Sequence, residues 1–385
     1  MSLSARHRVL FVDDDPSVLA GARRVMHDLR QQWEFLSAAS GQEALSLLEQ
    51  APCDLIITDM QMPGMDGVEL LSQVLSRFPS TVRFALSGYA DRAILLKSVG
   101  LSHQFLAKPC PAESLKRAIS HTLQFKKYLP GTHEQAMVSA TETLPVLPDT
   151  FRAFQKALRV SRADVEGVAT VVASDVCLAA KVLHLASWAS LDFRESARNI
   201  RQAVGVLGTE LLHSVLFSAH AFRAMDADTA SLFPVSNWNQ HATAVAALSV
   251  QIAREGGASA EGVQEAGTAG LLHDIGRRIL MGGYPATYAG ICAASCADET
   301  SITQTESEVL GVTHAELGAA LMVLWGVPSH VADAVAFHHE PERCPGEDSI
   351  VLRAVCEAER LVAEEGDAGE GCTRAEVCVP AGGVS

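Results

Sequence analysis

Asp13, Asp14 and Asp15 follow directly on one apolar run, and Asp59, Ser87 and Lys108 each close another. Carboxylates brought together repel one another unless a hard cation holds them, and Mg²⁺ with oxygen ligands and retained waters suits such a set. A lysine beside that cation fits phosphoryl transfer to a carboxylate nucleophile, because both reactants are anionic and their charge must be offset. The second half of the chain holds a different set: His241, the His273–Asp274 dyad, His314 and the His338–His339 pair, all in apolar helical stretches. Imidazoles and a carboxylate from several helices can close a site for Fe, Mn, Zn or a related metal.

Placing the aspartates in one crevice takes a sheet. Arg8–Val12, Trp33–Ala38, Asp54–Thr58, Val82–Leu86 and Gln104–Ala107 read as buried parallel strands, with helix-period segments starting near Pro16, Gly41, Asp66, Ala90 and Pro111. Five such units predict a doubly wound, five-stranded parallel α/β domain with its site at the strands' carboxyl ends. The helix from Pro111 is expected to run to about Tyr128, where Pro130 and Gly131 break it. Residues 130–143 read as a partly helical linker. Beyond it, spacing such as Val176, Ala179, Ala180, Leu183 and Ala186 is helical, which predicts an all-α domain over 144–364. The Gly-rich, acidic stretch 365–385 reads as a disordered tail.

Composition narrows the functional classes. A length of 385 residues predicts two or three domains, and 48% hydrophobic against 19% charged residues excludes a largely disordered chain. Residues 1–129 carry 14 Lys and Arg against 13 Asp and Glu, whereas the remainder carries 16 against 32. An acidic second half repels phosphate backbones, and no basic recognition helix or zinc-finger spacing occurs, so DNA binding is not expected. No apolar run approaches the roughly 18 residues of a membrane span, and the first dozen residues lack a signal-peptide pattern. The nine cysteines are scattered, with Cys292 and Cys296 the only close pair, a usage that fits a reducing cytoplasm.

The stretches VLFVDDDPSV, DLIITDMQMPGMDG, ALSGYAD and FLAKPC resemble a response-regulator receiver domain, flavodoxin-like in fold, over residues 6–129. The resemblance implies that Asp59 accepts a phosphoryl group from a sensor histidine kinase. It implies that Asp13 and Asp14 hold Mg²⁺ beside Asp59, with Asp14 a direct ligand and Gln61 lending its backbone carbonyl. Ser87 would be the switch hydroxyl, Lys108 the phosphoryl-binding lysine and Phe105 the switch aromatic, with a cis bond at Lys108–Pro109.

LPVLP, SDVCLAAKVLHLASWA, RQAVGVLG, LLHDIGRRIL, HAELGAALMVLWGVP and AVAFHHEP resemble, in that order, the HDOD branch of the HD superfamily. In the related HD-GYP phosphodiesterases, matching positions bind metal and hydrolyse cyclic di-GMP. By that analogy His241, His273, Asp274, His314, His338 and His339 would be ligands. Two departures count against hydrolysis: no GYP follows HHE, and the last-helix ligand position falls on Cys356, with Glu357 and Glu359 as neighbours. In addition, Arg277 stands where a lysine is expected, and it cannot lose its proton.

The resemblance therefore implies a cytoplasmic response regulator that relays phosphorylation through an HDOD protein-interaction domain. Its partners would be other signalling proteins, those of cyclic di-GMP pathways among them, and a homodimer is compatible with that role. The alternative is a metal-dependent phosphohydrolase, acting on cyclic di-GMP or a nucleotide, under receiver control. Phosphorylation is expected to rearrange the two domains, the unphosphorylated form being the more compact.

Overall fold

Five apolar runs form one all-parallel sheet: β1 (His7–Val12), β2 (Trp33–Ala38), β3 (Leu55–Asp59), β4 (Val82–Gly88) and β5 (Gln104–Lys108), in the order β2-β1-β3-β4-β5. The computed structural model describes residues 6–88, 96–129, 131–141, 144–159, 164–189, 197–216, 222–297, 301–345 and 349–368. Central strands read as unbroken apolar runs because helices cover both faces, and β3 is buried from end to end. Helices Pro16–Met26, Gly41–Gln50 and Gly67–Arg77 begin at Asp15, Ser40 and Asp66, whose side chains accept from backbone N–H groups of the first turn. Helix Ala112–Leu123 and a 3₁₀ turn at Gln124–Lys127 fill the stretch expected to be helical from Pro111, which itself takes the cap position. The helix start expected near Ala90 lies outside the described residues.

From residue 148 onward the described chain is overwhelmingly helical, from Pro148–Arg159 through to Ile350–Ala368. Three details add to the sequence reading. Pro145–Val146 and Arg223–Ala224 form a short parallel pair. Helix Thr132–Ser139 occupies much of the 130–143 interval and packs with Val138 and Ser139 buried. The last helix runs past Glu364 to Ala368, and residues 369–385 lie outside the described residues.

One buried apolar cluster runs through both halves. Strand β5 lies at the sheet edge, and an open edge leaves backbone groups unpaired. Helix Val176–Ala189 covers it. The His103 carbonyl accepts from His184 Nε2 at 2.8 Å and from Trp188 Nε1 at 3.4 Å. Gln104 Nε2 donates to the Leu324 carbonyl at 2.8 Å. The Phe105 ring stacks on Trp188, with centroids 6.0 Å apart. On the far side of His184, its imidazole stacks flat on Trp325 at 4.5 Å. Helix Thr132–Ser139 joins in, because the Ser139 carbonyl accepts from Arg83 Nη2 and His103 Nε2.

The other end of helix Val176–Ala189 is anchored just as firmly. Asp175 caps it, accepting from the Cys177 and Leu178 N–H groups at 2.9 and 3.1 Å. Asn239, on helix Val235–Glu255, donates to Asp175 at 3.2 Å and accepts from Arg278, on helix Ile275–Gly283, at 2.8 Å.

Candidate functional site

At the carboxyl ends of β1 and β3, Asp13, Asp14 and Asp59 each bring an oxygen within 4.8 Å of the others. Lys108 Nζ, from the end of β5, donates to Asp13 Oδ2 at 2.7 Å and lies 3.0 Å from Asp59 Oδ2. Burial opposes the lysine's charge, yet hydrogen bonds to the two carboxylates hold its pKa above the ordinary lysine value. One ammonium among three carboxylates leaves a negative surplus, the setting that favours a hard divalent cation. Asp15 faces away as a helix cap. The Gln61 N–H lies 3.4 Å from Asp59 Oδ1. Ser87 Oγ is buried and, among the described residues, has no hydrogen-bond partner. Such a hydroxyl is costly unless an acceptor arrives. The Lys108–Pro109 bond is cis. Gly67 lets the following helix start against this crevice, since a Cβ there would stand 2.4 Å from the Asp59 carbonyl oxygen.

The second constellation gathers His273 and Asp274 from the turn between two helices, His314 from the first turn of helix His314–Leu324, and His338–His339 from the end of helix Ser329–Phe337. Helix Val235–Glu255 adds His241. Gly276 makes the approach possible, because a Cβ at that position would fall 1.9 Å from the His314 carbonyl oxygen. Four donors group as Asp274, His314, His338 and His339, and three more as His241, His273 and Glu359. Asp274 stands between the groups, its Oδ1 3.1 Å from His314 Nε2 and its Oδ2 3.6 Å from His273 Nε2.

The tautomers are set by backbone carbonyls. His273 Nδ1 donates to the Gly270 carbonyl and His338 Nδ1 to that of Val335, both at 2.7 Å. A carbonyl only accepts, so each Nε2 of the neutral ring presents a lone pair. Both Nε2 atoms are buried without a hydrogen-bond partner among the described residues. Desolvation depresses His241 to about 4, His339 to about 3 and His338 well below its usual value, which keeps these rings neutral. His314 goes the other way: burial lowers its pKa, but the Glu306 carboxylate more than offsets this and raises it to about 9. Asp274 is held well below the usual carboxylate range despite burial, with Arg277 the leading cause.

Two segments of the chain match known family models. The model of the response regulator receiver domain matches residues 9–120, and that of the HDOD domain matches residues 144–341. The chain belongs to the HDOD family. This HDOD protein is 31% identical over 141 residues to the hydrogenase transcriptional regulatory protein HoxA of Cupriavidus necator, a match covering 36% of this chain and 28% of that one. It is 24% identical over 221 residues to an uncharacterized protein of Treponema pallidum, covering 57% and 42%. A cyclic di-GMP phosphodiesterase of Thermotoga maritima is 29% identical over 117 residues, covering 30% and 31%. The HDOD chain thus spans less than half the length of each of these relatives. Among solved structures, the receiver domain of an HD domain-containing protein from Pseudomonas fluorescens Pf-5 is 28% identical, covers 32% of this chain and 98% of its own, and gives a TM-score of 0.31.

In the HDOD half, the last-helix carboxylate differs from the sequence reading. Cys356 is not among the grouped donors, its Sγ donating instead to the His338 carbonyl at 3.3 Å. Glu357 pairs with Arg360 outside. Glu359, one helical turn beyond Cys356, is the carboxylate that faces the histidines, 3.8 Å from His339 Nδ1. Glu306 was not singled out by sequence at all. It is fully buried, accepts from the His314 N–H at 2.8 Å and from Tyr288 OH at 2.9 Å, and lies 2.7 Å from His314 Nδ1. Glu308 lies on the same short helix, and only the helix face tells the buried glutamate from the exposed one.

Proposed function

We propose that this protein is a response regulator phosphorylated on Asp59 by a histidine kinase, and that the phosphoryl group acts on the docking of its HDOD domain. The Asp59 carboxylate oxygen attacks phosphorus, and the bond from phosphorus to the donor nitrogen breaks with its electron pair staying on nitrogen. Lys108 offsets charge on the phosphoryl oxygens. Asp13, Asp14 and Asp59 would hold Mg²⁺, which supplies further charge neutralisation when bound. Ser87 then gains an acceptor, and Phe105 moves into the space that Ser87 leaves. The observation that carries this reading is the Phe105–Trp188 stack: the switch aromatic of the receiver is already in contact with the output domain. The phosphoryl group also adds roughly two negative charges beside an acidic domain. Weakened docking would free HDOD surface for other signalling proteins. Small-angle scattering at low ionic strength, with and without beryllofluoride and Mg²⁺, should show expansion of the treated protein, and superimposable profiles would sink the proposal.

One observation favours a second reading, a metal-dependent phosphohydrolase. The site has a last-helix carboxylate in Glu359, a neighbour of the Cys356 on which the sequence placed that ligand position. Against it stands the missing GYP segment. A turnover assay on cyclic di-GMP and nucleotides with Mn²⁺ decides between the two; hydrolysis abolished by Asp274→Ala supports this reading, and no turnover rejects it.

A further inference from the structure

We infer that the HDOD face now covered by the receiver is a receptor for the open edge of a receiver-type sheet, and that, once vacated, it takes that edge from another protein chain. The inference deepens the docking reading above and rests on it for the step that vacates the face.

The edge already seated there shows what the face recognises. Three successive residues at the start of β5 are each met by a different group. The His103 carbonyl takes two donors, His184 Nε2 at 2.8 Å and Trp188 Nε1 at 3.4 Å. Gln104 extends its amide to the carbonyl of Leu324, the last residue of helix His314–Leu324. Phe105 lays its ring on Trp188. An acceptor carbonyl, a side-chain donor and an aromatic must therefore arrive in that order on an extended strand. In strand recognition of this kind main-chain contacts give affinity and side-chain contacts give selectivity.

A second set of contacts excludes a short peptide as the occupant. Lys127 Nζ and Tyr128 OH both donate to Asp333 Oδ1, at 2.9 and 2.7 Å, and Ser329 Oγ donates to Gln124 Oε1 at 3.2 Å. These residues belong to the end of the helical segment that follows β5, so the face reads a strand edge and a helix end held together by a folded domain. Charge fits the same partner. Residues 1–129 carry 14 Lys and Arg against 13 Asp and Glu, the remainder 16 against 32, and an acidic face favours a partner that brings a cation to Asp333.

None of these contacts needs the two domains to share a chain. Interfaces between domains resemble transient interfaces between proteins. His103, Gln104, Phe105, Lys127 and Tyr128 all precede the linker, and the last carbonyl of helix Thr132–Ser139 is bound to the edge side by Arg83 Nη2 and His103 Nε2. A short linker holds the cis edge at an effective concentration in the millimolar range, which keeps an outside edge away while the domains are docked. Phosphorylation of Asp59 then turns a closed chain into a receptor for an unphosphorylated edge.

The test uses full-length chains that each keep one half of the contact. Phe105→Ala spoils the edge and leaves the face vacant. Asp59→Ala combined with Trp188→Ala spoils the face and leaves a vacant edge that cannot be phosphorylated. Each alone should run as a monomer in size-exclusion chromatography with light scattering, and the mixture should form a 1:1 complex of twice the chain mass. Parent protein should bind the Asp59→Ala, Trp188→Ala chain only with beryllofluoride and Mg²⁺ present. Capture by Phe105→Ala without capture by treated parent overturns the release reading and leaves the receptor standing. No complex in the mixture, with both variants expanded in small-angle scattering, overturns the receptor. Self-association of the Asp59→Ala, Trp188→Ala chain does so too, because its edge is then bound elsewhere. Where a variant stays compact or does not fold, Gln124→Trp replaces Phe105→Ala and Ser329→Trp replaces Trp188→Ala; that pair meets at the exposed rim of the contact and is read in the same way.

Discussion

The Phe105 ring lies 6.0 Å from the Trp188 indole at an interplanar angle of 27°, so an aromatic side chain of strand β5 is stacked on helix Val176–Ala189 of the HDOD domain. Trp188 Nε1 meanwhile points to the carbonyl of His103, two residues before Phe105 on the same chain segment. A change in the rotamer of Phe105 is therefore felt by a side chain held at two points.

Removing that stack should be measurable. Trp188→Ala is expected to destabilise the folded protein by about 3–5 kcal/mol, as truncation of a buried aromatic does. A double-mutant cycle with Phe105→Ala should return a coupling of about 0.5–1.5 kcal/mol by chemical denaturation. A coupling of zero would mean that the rings touch without supporting each other.

Phosphorylation is expected to add one group, at one residue. Incubation with Mg²⁺ and acetyl phosphate should raise the intact mass by a single phosphoryl group, absent from Asp59→Ala. Lys108→Ala should still fold but label more slowly, since the ammonium 3.0 Å from Asp59 is gone. Equal labelling of Asp59→Ala by mass spectrometry would contradict the assignment.

The domain junction should be acid-sensitive. His103 and His184 are held well below 6.5 by burial, and His121 is lowered to about 4 for the same reason. Rings neutral in the folded protein are protonated more readily when unfolded, so the stability they allow is full above pH 6.5 and falls as pH drops through the window toward 4. Each histidine contributes about 1.4 kcal/mol per pH unit in that window. Urea midpoints at pH 8 and pH 5.5 give the check, and His121→Asn should flatten the slope by about one proton.

Gly276→Ala is expected to cost about 1–3 kcal/mol or more, because a Cβ there would overlap the His314 backbone. Thermal unfolding measures the loss. An unchanged melting temperature would show that the two helices can part without penalty.

The receiver's crevice was readable because each of its residues ends an apolar run, and parallel strands present their last residues on one edge. Asp13, Asp14, Asp59 and Lys108 needed only that rule to be brought together. The junction was not readable. Trp188 lies in the apolar stretch Val176–Ala189, and burial against another domain leaves the same periodic trace as burial within one. The packing of helix Thr132–Ser139 was hidden for a related reason: a partly helical linker was legible, yet Ser139 is fixed by Arg83 and His103 through its carbonyl, which no side-chain pattern records. Sequence could not choose between Cys356 and its neighbour Glu359, because the two share a face and only the crossing angle of helix Ile350–Ala368 decides which one meets the histidines.

Helix Val176–Ala189 spans about 20 Å at 1.5 Å per residue, with Trp188 near one end and the Asp175 cap just before the other. A helix pinned at both ends does not absorb a push by bending in a loop; it passes the displacement along its axis. The far pin is Asn239, two residues from His241 on the same helix, and Asn239 in turn grips Arg278, four residues from Asp274. Helix Val176–Ala189 thus links the Phe105 stack, over its whole length, to the helices that carry His241 and Asp274, beside the shorter Gln104–Leu324 contact that reaches helix His314–Leu324 directly.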